Sequence, residues 1–200
     1  MSFESRGHSL LLRVPSSVYA PSDDSALLAS VALDACFGDV LEVGCGSGVV
    51  GILLALEGKC DSLTLLDINP QAVACAKENA RKNKIGAKIK FICSDLFVRL
   101  PASSHFDFIL FNPPYLPTMQ DEKLPGRINR AFDGGKDGLE AVAGFLARVK
   151  KHLAPGGKIL LVASSLQPKE KLDKLIEKTD FAPARWPRSV FSSSGCKCWN

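Results

Sequence analysis

The sequence has few features that would suit a membrane-bound, secreted or strongly charged protein. Its longest apolar run, Val49 to Leu56, is interrupted by Gly51 and is far too short to span a bilayer. The first residues show no signal-peptide pattern, so we expect a cytoplasmic protein without a membrane partner. The net charge of +4 is mild and does not by itself indicate a nucleic-acid partner.

Cysteine pairs with the spacing Cys-x-x-Cys are also missing. The seven cysteines are odd in number, and several fall inside apolar runs, where a free thiol behaves as a small hydrophobic side chain. This usage is typical of a reducing compartment. Cys196 and Cys198 stand one residue apart with no further ligand residues nearby, so we predict no metal site.

Repeats, low-complexity tracts and linkers are absent as well. With 200 residues and 46% hydrophobic content, the chain suits a single domain over residues 1–200, with residues 1–17 as an N-terminal extension. Apolar patterns predict strands at residues 10–14, 39–43, 62–67, 88–93, 106–111 and 158–163, and helices at 24–36, 49–57, 70–83, 137–153 and 168–178. A closing strand pair is expected around Gly195. The alternation predicts an α/β fold with a doubly wound, mostly parallel sheet.

Polar residues and glycines cluster where the predicted strands end. In an open parallel sheet, ligands bind outside the carboxyl ends of the strands, near the point where the strand order reverses. The following residues lie at such ends: Glu42, Gly44, Gly46, Asp67, Asp95 and Asn112. We therefore expect these side chains to surround one ligand site.

The glycine loop after the first strand of the sheet fits two kinds of ligand. The spacing Gly44-x-Gly46-x-Gly48 suits a loop that binds S-adenosylmethionine, whereas Gly46-x-Gly48-x-x-Gly51 matches the dinucleotide fingerprint. Glycines let the backbone turn tightly and let a ligand lie against it in either case. The loop alone does not decide between them.

Two acids near this loop, Glu42 and Asp95, and the absence of a second domain favour the sulfonium cofactor. Glu42 precedes the first glycine by two residues, which disfavours a pyrophosphate and suits a cationic ligand that carries an amino group. Asp67 is placed to bind a ribose diol with either ligand, and Asp95 can accept from the adenine amine. Nothing in the chain resembles a second, hydride-accepting domain.

The stretch Asn112-Pro113-Pro114-Tyr115 ends the apolar strand at residues 106–111 abruptly, because proline has no N–H to donate to a neighbouring strand. The Asn112 side-chain oxygen and the Pro113 carbonyl can accept the two N–H bonds of a planar NH₂ group. Such hydrogen bonds align the nitrogen and strengthen as its charge changes during methyl transfer. Tyr115 would pack against the flat face of the substrate group. A long connection, residues 112–136, follows and is expected to serve as an active-site loop.

These motifs resemble those of class I S-adenosylmethionine-dependent methyltransferases that act on planar NH₂ groups and have a Rossmann-like fold. The matching stretches are residues 42–48, 67–70, 94–95 and 112–115. Two more, residues 18–25 and 131–139, are similar to segments of the HemK-like release-factor glutamine methyltransferases in their short, single-domain form of archaea and eukaryotes. The tail from Ser189 onward departs from the family pattern.

The resemblance implies roles for individual residues. The cofactor, S-adenosyl-L-methionine, would be bound by Ser25, Glu42, Gly44, Gly46, Asp67, Asp95, Leu96 and Asn112, and would leave as S-adenosyl-L-homocysteine. The catalytic residues would be Asn112, Pro113 and Tyr115, which hold the substrate amide. The substrate would be the glutamine of the Gly-Gly-Gln motif in a class I peptide-chain release factor.

The resemblance also implies a heterodimer with a small zinc-binding activator protein. The strand at residues 88–93 should lie at a sheet edge, and its Ile89, Phe91 and Ile92 would invite strand addition by such a partner. In the long loop, Lys123, Arg127 and Arg130 are placed either to meet the protein substrate or to lie in solvent.

Three alternatives stay open at this point. The Asn112 motif alone does not choose between glutamine and adenine, so the chain fits an adenine-amino methyltransferase of DNA or RNA, although no segment that would recognise nucleic acid is visible. Methylation of protein lysine is a further possibility. A cofactor-binding subunit without chemistry is the third, and the intact Asn112 motif argues against it.

Overall fold

The computed structural model describes residues 1–5, 7–86, 88–117, 133–182 and 197–199. Its strands are β1 (Ser2–Ser5), β2 (His8–Leu11), β3 (Asp39–Val43), β4 (Ser62–Asp67), β5 (Lys88–Cys93), β6 (Phe106–Phe111), β7 (Leu153–Ala163) and β8 (Lys197–Trp199). Its helices are α1 (Asp23–Ala35), α2 (Val49–Leu56), α3 (Pro70–Lys82), α4 (Glu140–Val149) and α5 (Lys169–Glu177), with a 3₁₀ turn at Lys150–His152.

The main sheet has the strand order β5-β4-β3-β6-β7-β8. All neighbouring strands in it are parallel except β7 and β8, which are antiparallel. Val43 of β3 lies beside Leu66 of β4 on one side and beside Phe111 of β6 on the other. The carboxyl ends of these three strands are therefore level, at the point where the order reverses, and the doubly wound, mostly parallel sheet is confirmed.

Apolar side chains cover both faces of the sheet, as the nearly continuous apolar strands require. Alternate residues point to opposite faces. Phe108 and Leu110 belong to a cluster with residues of α1 and α2, whereas Ile109 and Phe111 belong to a second cluster with residues of α4. The ring of Phe111 stacks on Phe145 with centroids 4.7 Å apart, which fixes α4 against the end of β6.

Capping residues fix the starts of two helices. Ser22 is the N-cap of α1, and its backbone N–H donates to the Ser25 hydroxyl. Asn69 caps α3 by accepting from Gln71 N–H at 3.0 Å, and Pro70 occupies the first helical position, where a missing N–H costs nothing. The residue immediately before each of these two helices thus sets where the helix begins.

Several predicted boundaries were wrong. The helix expected at residues 137–153 begins only at Glu140, because Gly138 has φ of +72° and cannot belong to a right-handed helix. Strand β7 begins at Leu153 rather than at residue 158, with a register shift opposite Phe106 and Phe108 that accommodates the proline and glycines in between.

The two ends of the chain also differ from the sequence prediction. Instead of a single strand at residues 10–14, β1 and β2 pair antiparallel, with Phe3 opposite Leu10, and the amino terminus donates to the Leu12 carbonyl. Near the other end, β8 pairs antiparallel with β7. The remainder of the predicted closing strand pair, including Gly195, lies outside the described residues.

The predicted edge position of β5 is confirmed, because it is the first strand in the sheet order. Its Ile89, Phe91 and Ile92 are only partly buried. In the described part of the chain, no helix combines the length and the apolar character that crossing a membrane requires.

Candidate functional site

A cavity of about 560 Å³ opens at the carboxyl ends of β3, β4 and β6. All ten residues that the sequence singled out as cofactor-binding or catalytic line it: Ser25, Glu42, Gly44, Gly46, Asp67, Asp95, Leu96, Asn112, Pro113 and Tyr115. The structure therefore brings together residues from the start of α1 to the end of β6. The individual roles stay predictions, and the contacts below indicate what each residue is able to do.

The glycine loop turns the chain from β3 into α2 within a few residues. Gly44, Gly46 and Gly48 all have φ between +53° and +76°, a region that other residues enter only with strain. A Cβ at Gly48 would lie 2.8 Å from the Ala76 Cβ, so this glycine permits close packing on α3. A Cβ at Gly46 would meet no atom within 4 Å, so the backbone there is open to a ligand in the cavity.

Asp67, at the end of β4, holds the glycine loop in place. Its carboxylate accepts from Gly46 N–H at 2.9 Å and from Asn69 N–H at 2.8 Å. Burial raises the pKa of Asp67, and the backbone hydrogen bonds offset part of that increase. Because each carboxylate oxygen has two lone pairs, Asp67 can still accept from hydroxyl groups of a ligand.

Glu42, in β3, is a buried acid beside the same loop. It is 5% exposed and accepts from Gly51 N–H at 2.8 Å. Burial raises the pKa of Glu42 to about 8, the Gly51 hydrogen bond opposes this increase, and the charge of Asp67 adds to it. The carboxyl is therefore largely protonated at neutral pH, and a cation bound nearby would favour its charged form.

The presence of Gly51 in the dinucleotide-like spacing is explained by packing and does not require a dinucleotide ligand. A Cβ on this residue would lie 2.6 Å from Leu65 Cδ2 and 2.7 Å from Glu42 Oε2. Glycine is thus required for α2 to pack closely on the sheet and to donate its N–H to Glu42. The same packing role belongs to the third glycine of the dinucleotide fingerprint, so the spacing does not identify the ligand.

The loop after β5 is held by backbone contacts to β4. Ser94 N–H donates to the Asp67 carbonyl at 2.9 Å, and its buried hydroxyl accepts from Arg99 N–H at 3.0 Å. Asp95 is exposed and Leu96 has φ of +44°, a strained conformation for leucine that costs about 1–2 kcal/mol. Strain of this kind is found preferentially at ligand sites, where the backbone must adopt a fixed shape.

Asn112, which directly follows β6, contributes a side-chain acceptor atom to the site. Its Oδ1 is buried and has no hydrogen-bond partner among the described residues. Buried polar atoms are nearly always satisfied, so an unpaired acceptor at the edge of a cavity indicates a place for a donor from a ligand. The two prolines that follow cannot donate an N–H to it.

The amide group of Asn112 forms its hydrogen bond on the other side, to Asp24 at the start of α1. Burial raises the pKa of Asp24, but side-chain hydrogen bonds from Asn112, Ser22 and Tyr19 and one from Ser25 N–H outweigh burial and leave the pKa below its ordinary value. The carboxyl of Asp24 is therefore a carboxylate at neutral pH and can only accept. Asp24 is 4% exposed and lines the cavity.

Residues 133–139 hold the backbone of the Asn112 motif. Gly134 N–H donates to the Leu116 carbonyl at 3.0 Å, and a Cβ at Gly134 would lie 2.8 Å from the Pro114 carbonyl oxygen. A Cβ at Gly138 would overlap the Tyr115 carbonyl oxygen. The predicted glycine-rich segment therefore acts through close contact with the motif. Residues 118–132 lie outside the described part of the chain, and with them Lys123, Arg127 and Arg130.

Two residues that hold parts of the site in place were missed by the sequence interpretation. Asp24 lies in residues 18–25, which are similar to a segment of the HemK-like enzymes, but the sequence pattern gave it no role beyond the start of a helix. Gln167 gave no signal; it is buried, and its Nε2 donates to the Gly138 carbonyl at 2.6 Å. Within the described ranges, no three His, Cys, Asp or Glu residues are grouped in a way that could hold a metal ion.

Comparison with known proteins places the chain in a family. The model of the methyltransferase small domain family matches residues 20–184. A Methanocaldococcus jannaschii protein named as a candidate protein N5-glutamine methyltransferase is 44% identical over 165 residues, which cover 82% of this chain and 81% of that protein. Human methyltransferase HEMK2 is 36% identical over 171 residues, covering 81% and 78% of the two chains. The release factor glutamine methyltransferase of Gloeobacter violaceus is 31% identical over 161 residues, and the match spans 56% of its length.

Solved structures agree on the fold. A chain of the E. cuniculi Mtq2–Trm112 complex, which is responsible for methylation of the termination factor eRF1, aligns with a TM-score of 0.66 at 21% identity, covering 92% of this chain and 96% of that one. A 16S rRNA N2 G1207 methyltransferase from T. thermophilus, solved with AdoMet and guanosine, aligns with a TM-score of 0.69 at 18% identity, covering 100% and 49%. The fold is that of a class I methyltransferase, and the chain belongs to the methyltransferase small domain family, as a HemK-like member.

Proposed function

We propose that this protein transfers a methyl group from S-adenosyl-L-methionine to the side-chain amide nitrogen of the glutamine in the Gly-Gly-Gln motif of a class I peptide-chain release factor. The observation that carries the proposal is the buried, unpartnered Oδ1 of Asn112 at the edge of the cavity. Relatives that are named as glutamine methyltransferases support the choice of acceptor.

The residues around the cavity fit the cofactor. The open backbone at Gly46 leaves room for a ligand to lie against the loop, and the Asp67 carboxylate has lone pairs to accept from ribose hydroxyls. The buried Glu42 carboxyl suits a ligand that brings a positive charge, because that charge would offset the cost of ionising it. When bound, S-adenosyl-L-methionine supplies an electrophilic methyl group and is left as S-adenosyl-L-homocysteine.

Asn112 and Pro113 would prepare the acceptor nitrogen. The lone pair of an amide nitrogen is delocalised into the carbonyl, which makes the nitrogen a poor nucleophile. Two acceptors, the Asn112 Oδ1 and the Pro113 carbonyl, would take its two N–H bonds and fix the direction of attack. These hydrogen bonds strengthen as positive charge develops on the nitrogen, so they favour the transition state over the bound substrate. One proton then leaves the methylated nitrogen for water, and no base with a pKa near 7 is needed beforehand.

Tyr115 would cover the flat face of the substrate amide. Its ring lines the cavity, and its hydroxyl donates to Asp24 at 3.2 Å, which restrains the ring. Positioning of this kind is the main contribution expected of the site, because the substrate nitrogen stays neutral until the methyl group arrives.

A small activator protein is part of the proposal. Strand β5 lies at the sheet edge with Ile89, Phe91 and Ile92 partly exposed, and an unpaired apolar edge suits strand addition by a partner. The complex solved for the E. cuniculi neighbour supports a partner of this kind. We propose a small zinc-binding protein in that position, and a cytoplasmic location follows from a substrate that acts in translation.

A methylation assay tests the proposed substrate. The protein, with and without a candidate activator, is incubated with methyl-labelled S-adenosyl-L-methionine and a class I release factor. We expect label on the factor, and none when the Gly-Gly-Gln glutamine is replaced by alanine. With Asn112→Ala in the enzyme, label should appear at least about 10²-fold more slowly. Label that persists after the glutamine is replaced would refute the proposed substrate.

Nucleic acid is the alternative acceptor with a specific observation behind it. The exocyclic NH₂ of a base is planar, like an amide, and would satisfy the same two acceptors. A ribosomal RNA small subunit methyltransferase C from Mannheimia succiniciproducens is 32% identical over 142 residues, although this match covers only 37% of that protein. Label on RNA or DNA, with none on a release factor or on lysine residues, would favour this alternative.

A further inference from the structure

We propose that Asp24 is a positioning residue for methyl transfer, and that its carboxylate holds the Asn112 amide in the one orientation that turns Oδ1 toward the substrate. The inference rests on the proposed function only in that the acceptor must be an NH₂ group. It assigns a reaction role to a residue at the start of α1, far from the motif in sequence.

The need for such a residue follows from the shape of an amide side chain. Its oxygen and its NH₂ group are nearly equal in size, so steric packing at the end of β6 does not by itself choose between the two orientations. Only hydrogen bonds can make the choice. If the Asn112 amide turned over, its NH₂ group would face the NH₂ group of the substrate, donor against donor, and the acceptor that the reaction needs would be lost.

Asp24 can impose the orientation because it is able only to accept. The Ser22 hydroxyl donates to its Oδ1 at 2.8 Å, Ser25 N–H donates to Oδ1 at 2.6 Å, and the Tyr19 hydroxyl donates to Oδ2 at 3.0 Å. Enclosed by these donors, the carboxyl stays ionised. An ionised carboxylate offers no proton, so the group that Asn112 turns toward it must be the NH₂ end.

The unpaired oxygen of Asn112 agrees with this reasoning. Asn112 contributes a side-chain hydrogen bond to Asp24, whereas its Oδ1 is buried and has no partner in the described part of the chain. One end of the amide is thus satisfied by the protein, and the other is kept for the ligand. Hydrogen bonds to a charged group are about twice as strong as neutral ones, which makes the orientation firm before the substrate arrives.

The same carboxylate also restrains the far end of the motif. The Tyr115 hydroxyl donates to Asp24 Oδ2 at 3.2 Å, so Asn112 and Tyr115 share one anchor on α1. The anchor sets the distance between the acceptor oxygen and the ring that covers the substrate. Asp24→Asn would keep an oxygen that accepts from the Tyr115 hydroxyl but would no longer fix the Asn112 amide in one orientation.

Asp24→Asn tests the role with little change in size. Asparagine at this position presents a donor as well as an acceptor, so the Asn112 amide is no longer held in one orientation. We expect kcat to fall by about 10²-fold, the range seen when one transition-state hydrogen bond is lost. Affinity for S-adenosyl-L-homocysteine, measured by calorimetry, should stay within about threefold, because no cofactor group depends on the Asn112 orientation alone. The control is Asp23→Asn, which removes the same charge from the exposed neighbouring position of the helix start and should leave kcat unchanged.

A double variant separates positioning from a general structural effect. If Asp24 acts through Asn112, adding Asp24→Asn to Asn112→Ala should slow the reaction by no more than about threefold beyond Asn112→Ala alone. Effects that multiply in the double variant, or a single variant Asp24→Asn that keeps its full kcat, would overturn the proposal.

A measurement on the unchanged protein covers the case in which Asp24→Asn does not fold. The side-chain NH₂ signals of Asn112 are identified in the ¹⁵N spectrum by their loss in Asn112→Ala. Hydrogen exchange of this NH₂ group with solvent should be slowed relative to a free asparagine side chain, since it donates to a buried carboxylate. Exchange at the free rate would overturn the proposal. Because this readout needs no substrate, it stays valid even if methylation of a release factor is not found.

Discussion

Glu42 makes the stability of this protein depend on pH, and the size of the effect follows from its surroundings. Burial raises the pKa of Glu42 to about 8 from an ordinary value of 4.5. Between these two pH values the folded protein keeps a proton on Glu42 that the unfolded chain has lost. Its contribution to stability is therefore fully present below pH 4.5 and is lost as the pH rises through about 8.

The magnitude is large for one side chain. Each pH unit between the two values reduces the free energy of unfolding by about 1.4 kcal/mol, so the loss from about pH 5 to about pH 8 is roughly 4 kcal/mol. Total stabilities of domains of this kind are about 5–15 kcal/mol, so the effect is easily measured. The pKa of Asp67 is raised as well. Because Asp67 is present both in the unchanged protein and in the variant described next, its effect on the difference between their stabilities largely cancels.

Glu42→Gln isolates this contribution. Glutamine has nearly the same size and keeps an oxygen that can accept from Gly51 N–H, but it has no proton to lose. Both free energies of unfolding are measured in urea. The value for Glu42→Gln minus the value for the unchanged protein should rise by about 4 kcal/mol between about pH 5 and about pH 8. Glu177→Gln, on the exposed side of α5, removes an acid without burial and should show no such trend. A difference between Glu42→Gln and the unchanged protein that is constant over this range would refute the reasoning.

Two pairs of glycines yield further predictions with matched controls. Gly46→Ala and Gly58→Ala should each destabilise the fold by about 1–2 kcal/mol, because both glycines have positive φ and neither added Cβ meets an atom within 4 Å. Only Gly46→Ala should also weaken binding of S-adenosyl-L-homocysteine in calorimetry, and equal affinities in the two variants would contradict a ligand at Gly46. Gly138→Ala should lower kcat at least about tenfold more than Gly156→Ala, because its Cβ would displace the Tyr115 carbonyl, whereas a Cβ at Gly156 meets no atom within 4 Å. Similar rates in these two variants would mean that residues 133–139 do not position the Asn112 motif.

The parts of the fold that could be predicted are those in which local pattern and packing agree. The strands at residues 39–43, 62–67, 88–93 and 106–111 were predicted at their observed bounds. Each apolar run ends at or just before a glycine or a small polar residue, which are Gly44, Asp67, Ser94 and Asn112, and this leaves little choice of where the strand ends. The helix at residues 137–153 was predicted too long. Its first turn is replaced by Gly138, whose left-handed backbone is needed for contact with Tyr115, and that contact is not visible in a local pattern.

The set of strand-end residues that line the site was predictable for a similar reason. Residues that follow parallel strands must meet at one edge of the sheet, so Glu42, Asp67 and Asn112 were expected together, and they line one cavity. Asp24 and Gln167 could not be found in this way. Each acts by a hydrogen bond to a residue distant in sequence, and neither stands at the end of a strand in the sequence pattern.

By itself, the sequence determined the order of strands and helices and the set of polar groups at the sheet edge, because both follow from the spacing of apolar residues and from the rule that parallel strands end on one side. Only the tertiary structure decided the chemical state of those groups. Whether Glu42 holds a proton depends on its burial against α2, and whether Asn112 offers an oxygen depends on a carboxylate at the start of α1. Burial and long-range hydrogen bonds are properties of the packed chain, and they convert a row of polar residues into a site in which one acceptor is left unpaired.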